Sequence, residues 1–203
     1  MNFEIVDNLF QTVVLFAAMT AAFVLAVLKR SRVLMMLSFG YGSFMMGTLF
    51  YVLHIMILGY NPKIFYVSEV SWLGAYLFFF SIALLNADKV KFNISGAVAA
   101  LLVYAVSFTF KIFGPSHITS GAFAFLVGGI TYLSLCGIKK RGVKNSASDI
   151  MLVVCVLLQI SLYIVSIFMS GYTRFNPYFA VDIALTSSMV SLLPIFCRKE
   201  SAK

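Results

Sequence analysis

Seven apolar stretches, at 9–28, 33–58, 67–85, 94–113, 118–138, 150–170 and 178–197, fill the chain almost end to end. Only short polar breaks separate them. About 20 apolar residues are needed to cross the hydrocarbon core of a bilayer. No water is available there to bond the backbone, so each stretch must satisfy its own N–H and C=O groups as a helix. A transmembrane barrel would require apolar and polar residues to alternate, and these runs do not alternate. The sequence therefore predicts an all-α, polytopic integral membrane protein, a single domain over 1–203 with seven transmembrane helices. With 62% hydrophobic and 11% charged residues, too little polar surface remains to wet a soluble domain.

The net charge of +8 is distributed as topology requires. With the N-terminus outside, the inner breaks hold Lys29, Arg30, Arg32, Lys89, Lys91, Lys139, Lys140, Arg141, Lys144, Arg198, Lys199 and Lys203. The outer side holds Lys63, Lys111 and Arg174. This asymmetry predicts an N-out, C-in orientation in the cell (plasma) membrane. The basic segments read as orientation signals and contacts to the anionic lipid bilayer, not as a nucleic-acid surface. Residues 1–8 hold Glu4 and Asp7 but no Lys or Arg, unlike the positive start of a signal peptide, and read as an outer tail. Cys136, Cys155 and Cys197 are odd in number, lie in the inner half and show no CxxC spacing, so free thiols are expected.

Pro62, Pro115 and Pro177 punctuate the three outer breaks, and Pro194 is expected to kink or terminate the last helix. Two outer breaks resemble each other. Gly59-Tyr60-Asn61-Pro62 leads through aromatics to Glu69, and Gly171-Tyr172 with Asn176-Pro177 leads through aromatics to Asp182. The first three and last three helices run in the same directions, with the fourth as linker. A 3+1+3 parallel repeat would account for both observations.

Of the seven acids, Glu69 and Asp182 fall in the first turns of apolar helices. Such a carboxylate can simply cap a helix N-terminus, yet ionisable groups inside spanning segments often serve function. Glu69, Trp72, Leu73 and Tyr76 share one face of the third helix, and Asp182, Thr186 and Met189 share one face of the seventh. Gln159, Tyr163, Ser166 and Ser170 form a polar stripe on the sixth. Gly40, Ser43, Gly47, Tyr51 and His54 form a small-and-polar stripe on the second. Such stripes also serve as interhelical glue, but their polar groups converge on the outer half, where Arg174 also lies. The candidate ligand-binding set is Glu69, Asp182, Arg174, Trp72, Tyr66, His54 and Tyr163. No HExxH, glycine-rich phosphate loop or metal-ligand cluster is present, so neither a metal nor a cofactor is expected, and no catalytic residue is assigned. The seventh helix has no lysine for a retinal Schiff base.

The run from Asn61 to Leu77, with Pro62, an aromatic loop, Glu69, Trp72, Leu73-Gly74 and Tyr76, resembles the seven-transmembrane sensor modules that precede diguanylate cyclase and histidine kinase output domains. Glu69 stands where those modules usually have Asp. The later segment from Pro177 to Asp182 lacks their Trp and Gly-Tyr. The resemblance implies a membrane input module that senses an extracellular or intramembrane signal, and the compact loops, taken separately, look bacterial. The chain ends at Arg198–Lys203 without an output domain, so signalling would need a membrane or cytoplasmic partner. The leading expectation is a stand-alone receptor-like protein that binds a small molecule in an outer-half pocket. Glu69 and Asp182 would orient a polar or cationic group, Arg174 would balance charge, and Trp72 and Tyr66 would form aromatic walls. The alternatives are a small-solute transporter of 3+1+3 layout, although the PQ dipeptide of such carriers is absent, and a non-catalytic assembly protein.

Overall fold

The computed structural model describes residues 3–60, 66–87, 92–110, 116–169 and 171–201. Among them are seven α-helices: α1 (Phe3–Lys29), α2 (Arg32–Leu58), α3 (Tyr66–Asn86), α4 (Ile94–Thr109), α5 (His117–Arg141), α6 (Ala147–Phe168) and α7 (Pro177–Ser201). A 3-10 turn, Val143–Asn145, joins α5 to α6. The break residues Pro62, Lys63, Asp88, Lys89, Lys91, Lys111 and Pro115, together with Ser170 and Lys203, lie outside the described residues.

Local chemistry sets the helix ends. Ser31 caps α2, its hydroxyl accepting from the Leu34 N–H at 3.4 Å. Gly59 closes α2 at φ +75°, a left-handed conformation that glycine adopts without a Cβ clash. Ser116 caps α5. Two boundaries differ from expectation. α1 begins at Phe3 rather than near Leu9, so Glu4 and Asp7 are helical and buried rather than part of an outer tail. α7 runs through Pro194 to Ser201 instead of ending there; the missing N–H and the ring's clash with the preceding turn are tolerated where neighbouring helices pack the turns on either side.

Six helices close a ring in the order α1, α2, α3, α5, α6, α7, and α7 packs back on α1. Across the ring, α2 touches α7 and α3 touches α6. α4 stands outside, packed on α5. Its approach depends on Gly128, where a Cβ would lie 3.2 Å from the Ala100 carbonyl oxygen. α4 has 16 residues, about 24 Å at 1.5 Å per residue, short of the roughly 30 Å hydrocarbon core. The other six are long and apolar enough to cross a membrane. The ring interior is filled by Leu15, Leu34, Leu37, Tyr76, Phe79, Leu152, Leu192 and Phe196, while Phe16, Val27, Leu101 and Ile167 face outward. Apolar residues on both the inside and the outside mark a protein whose outer solvent is lipid. This is a multi-pass helical membrane protein.

The two ends of the ring differ in charge. At one end lie Lys29, Arg30, Arg32, Lys139, Lys140, Arg141, Lys144, Arg198 and Lys199, here called the basic end. The opposite end holds Glu4, Asp7, Glu69 and Asp182, with Arg174 its one described Lys or Arg. It is called the acidic end.

Candidate ligand cavity

The acidic end is organised by the start of α1. Its buried residues are Glu4, Asp7, Gln11, Leu15, Ala18, Ala22 and Ala26. Steps of three and four place them on one face of a helix. That face is polar for its first two turns and apolar below. The first N–H groups of α1 find partners in the α6–α7 loop, Phe3 N to Thr173 O and Glu4 N to Tyr172 O, both at 3.2 Å. These bonds satisfy donors that any helix start leaves open. The Phe3 ring packs edge-on against Phe179, with centroids 4.7 Å apart.

Asn176 and Pro177 position α7. The Asn176 side-chain oxygen accepts from the Tyr178 N–H at 2.9 Å, and its amide donates to Gly171 O at 2.7 Å. Proline then opens the helix at a position where no N–H is required. Asp182 follows on the face turned toward α1, lying against Asp7 and Gln11.

On the other side, Gly47 sets the distance between α2 and α3. A Cβ there would lie 2.7 Å from Trp72 Nε1 and 3.0 Å from Ser68 O. The Ser68 hydroxyl donates to Gly47 O at 2.9 Å, and the Trp72 indole N–H donates to Thr48 Oγ1 at 3.4 Å. Close approach of the two helices turns Trp72 and Glu69 inward.

Between these walls is a cavity of ≈ 360 Å³, within the size range of small-molecule sites. Glu4, Glu69 and Asp182 line it as acids, and Asn8, Gln11, Gln159 and Ser166 as neutral polar groups. Phe44, Trp72, Tyr51, Tyr163, Tyr172 and Tyr178 supply its rings. Among the described residues no Lys, Arg or His lines it. The Tyr51 hydroxyl donates to Glu4 Oε1 at 2.8 Å. The Tyr76 hydroxyl donates to Gln159 Oε1 at 2.7 Å and closes the floor. Burial, and secondarily the Glu4 carboxylate, raise the Tyr172 hydroxyl in the loop above the ordinary tyrosine range. It is therefore a neutral donor at physiological pH.

Several buried groups remain without hydrogen-bond partners among the described residues: both carboxyl oxygens of Asp7, Gln11 Nε2 and Glu69 Oε2. These residues are only 2%, 3% and 5% exposed. Leaving a buried polar group unmet costs about 1–3 kcal/mol, so native structures contain few. Gln11 and Glu69 line the cavity, and Asp7 lies one turn before Gln11 on the same face of α1; further unmet atoms, on His54, Asn86, Ser107, Ser134 and Arg141, lie away from it.

Four residues of the candidate set line the cavity: Glu69, Trp72, Tyr163 and Asp182. Arg174 is exposed in the α6–α7 loop and does not line it. His54 lies outside it, its ring 5.4 Å from Tyr60 and 6.1 Å from Phe50. Tyr66 opens α3, and its side chain lies outside the described residues. Sequence reasoning missed Glu4, Asp7 and Gln11. The signal was there: Glu4, Asp7 and Gln11 continue the 3-4 spacing of Leu15, Ala18 and Ala22 toward the N-terminus. It is visible only when polar residues are allowed to extend an apolar helix. Among the described residues, no three His, Cys, Asp or Glu side chains group closely enough to hold a metal ion.

The fold and site together define a multi-pass helical membrane protein with an acidic, aromatic-walled cavity at one end. Compared with family models, curated proteins and solved structures, the chain matches none.

Proposed function

We propose that this is a receptor-like protein of the cell membrane, oriented N-out and C-in, that binds a small polar or cationic molecule in the acidic-end cavity. The observation carrying this reading is the pair of unmet polar groups lining the cavity, Gln11 Nε2 and Glu69 Oε2. A polar ligand would supply the bonds the protein does not. The basic side chains at the opposite end favour placing that end in the cytoplasm, so the cavity opens outward. The resemblance of the Asn61–Leu77 run to sensor modules agrees with a sensory role, with a signalling partner at the basic end.

A small-solute carrier is the second reading. In the ring, a half-turn exchanges α1, α2 and α3 with α5, α6 and α7. The same half-turn exchanges the two cross-ring contacts, α2 with α7 and α6 with α3. It also relates Glu69 near the start of α3 to Asp182 near the start of α7. These relations favour a 3+1+3 duplication, the layout of some carriers. A carrier also needs a path to both sides. Below the cavity lie the Tyr76–Gln159 pair, then Tyr41, whose hydroxyl donates to Met189 O at 2.6 Å, then Leu34, Leu192 and Phe196. That filled interior favours a pocket closed below.

Native mass spectrometry of protein released from mild detergent tests the receptor reading. A stoichiometric extra mass is expected, and it should vanish in Glu69→Gln. An apo mass in the wild type, or an adduct retained by the variant, would count against it. Solute flux in liposomes that Glu69→Gln stops would favour the carrier.

A further inference from the structure

Resting on that cavity reading, we propose that the occupant is a neutral polyhydroxylated molecule of about monosaccharide size, whose hydroxyls bridge Gln11 on α1 and Glu69 on α3.

Several polar groups of the cavity are already engaged within the protein. The Asn8 amide donates to Glu4 O at 2.8 Å, the Tyr51 hydroxyl to Glu4 Oε1 at 2.8 Å and the Ser166 hydroxyl to Tyr163 O at 2.7 Å. The Tyr76 hydroxyl occupies Gln159 Oε1. Gln11 Nε2 and Glu69 Oε2 are not engaged: each is buried and bonded to nothing among the described residues. Both side chains line the cavity, and the two residues are only 3% and 5% exposed.

The two unmet groups are of opposite kind. Gln11 Nε2 is a donor in need of an acceptor, and Glu69 Oε2, on a carboxylate, is an acceptor in need of a donor. They stand on different walls. A group that only donates, such as an ammonium ion, meets Glu69 and leaves Gln11 unmet. A group that only accepts, such as a carboxylate or phosphate, meets Gln11 and leaves Glu69 unmet. It also lies among Glu4, Glu69 and Asp182, which line the same space. A zwitterion meets both, but sets its own carboxylate on the face of α1 that carries Glu4 and Asp7. A hydroxyl both donates and accepts, and it brings no charge. Several hydroxyls around one ring reach both walls at once. Each bond they make replaces one that a buried group otherwise forgoes.

The aromatic walls supply the remaining contact. The Trp72 indole N–H is turned to Thr48 Oγ1 at 3.4 Å, so the ring offers the cavity its apolar surface. Phe44 packs beside it, with centroids 6.1 Å apart, and lines the same space. A sugar ring carries C–H groups on its faces and hydroxyls at its edge. It can lay a face on these aromatics while its edge reaches α1 and α3. The volume of ≈ 360 Å³ lies at the small end of ligand pockets, which suits one such ring rather than a chain of them.

Titration of Trp72 emission tests this, with the full chain in phosphatidylcholine vesicles so that no sugar headgroup competes. Trp72 lines the cavity and is the only tryptophan. The probes are D-glucose, D-galactose, D-mannose and myo-inositol. Cyclohexylamine, cyclohexanecarboxylate and L-leucine are the donating, accepting and zwitterionic controls. At least one of the four polyols should shift the emission saturably and bind at least about tenfold more tightly than every control. Gln11→Leu should weaken that binding about tenfold, through loss of one hydrogen bond from a buried donor. Should Gln11→Leu fail to fold, Gln11→Met gives the same readout. A control that binds as tightly as the best polyol, or an affinity unchanged in the folded Gln11 variant, overturns the inference. So does the lack of a saturable shift with all four polyols. The adduct mass described above decides the cavity reading separately: an adduct that depends on Glu69 keeps the cavity and removes only the polyol.

Discussion

The two ends of the ring treat charge in opposite ways. At the basic end, Arg141 pairs with Asp149 and also donates to Asn86 O at 3.0 Å. Lys199 reaches Asn86 Oδ1 at 2.9 Å, Lys139 reaches Asn93 Oδ1 at 3.2 Å, and Lys29 ties α1 to Cys197 O and Ser201 on α7. These contacts stitch α1, α3, α4, α5, α6 and α7 together, with basic groups at the C-termini of four of them, where the helix dipole favours them. At the acidic end, Asp7, Gln11 and Glu69 hold buried polar atoms with no partner, and a cavity takes the place of side-chain pairing. One end spends its charges on closure. The other leaves carboxylate oxygens of Asp7 and Glu69 unmet at a cost to stability, as binding sites commonly do, whereas the unmet atoms of the basic end are Asn86 Nδ2 and the Nε of an Arg141 guanidinium whose other nitrogens are bonded.

Substitutions at the two ends should therefore differ in sign and size. Arg141→Ala should have the largest effect. It strands Asp149, which is 2% exposed, and loss of one partner of a buried pair costs about 3 kcal/mol. Thermal unfolding in detergent should fall clearly; an unchanged midpoint would mean the basic end is not held by this pair. Gly47→Ala comes next, at about 1–3 kcal/mol for overpacking between α2 and α3. Because Trp72 is the only tryptophan, its emission should report the displacement directly. Unshifted emission would argue against the close contact.

Asn176→Ala should cost about 1 kcal/mol by removing the α7 cap, and it should weaken ligand binding by loosening the helix that carries Asp182. Glu69→Gln should change stability by less than about 0.5 kcal/mol, or raise it, because it replaces an unmet buried carboxylate with a neutral amide that costs less to desolvate. A loss comparable to that of Arg141→Ala would erase the contrast between the ends. The smallest expected effect is on quenching of Trp72. Caesium should quench it more than iodide, because the acidic cavity concentrates cations. The reverse order would place Trp72 away from the acids.

Much of the fold was legible because the bilayer is a demanding solvent. The count of helices and the separation of charge between the ends follow from hydropathy and loop composition, whereas the fourth stretch, expected to span over 94–113, ends as a helix at Thr109 and is too short to cross. α2 begins at Arg32 and ends at Leu58, within a residue of the apolar stretch at 33–58. The start of α1 was less legible. Hydropathy discounts a turn bearing Glu4 and Asp7, yet the loop carbonyls of Tyr172 and Thr173 accept its open N–H groups and extend the helix. The short α4 likewise carries an apolar signal like the others, but its place outside the ring depends on which neighbours pack.

For the site, the sequence determined that Glu69, Trp72, Tyr163 and Asp182 lie on polar faces near one end, because helical periodicity and chain direction suffice for that. Only the tertiary structure decided which faces meet. It brought α1 against α7, set Asp182 beside Asp7 and Gln11, and left His54 and Arg174 out of the cavity. The physical reason is range. Periodicity acts within a helix over three or four residues, whereas the order of helices around the ring depends on contacts between residues more than a hundred positions apart, such as Phe3 with Phe179.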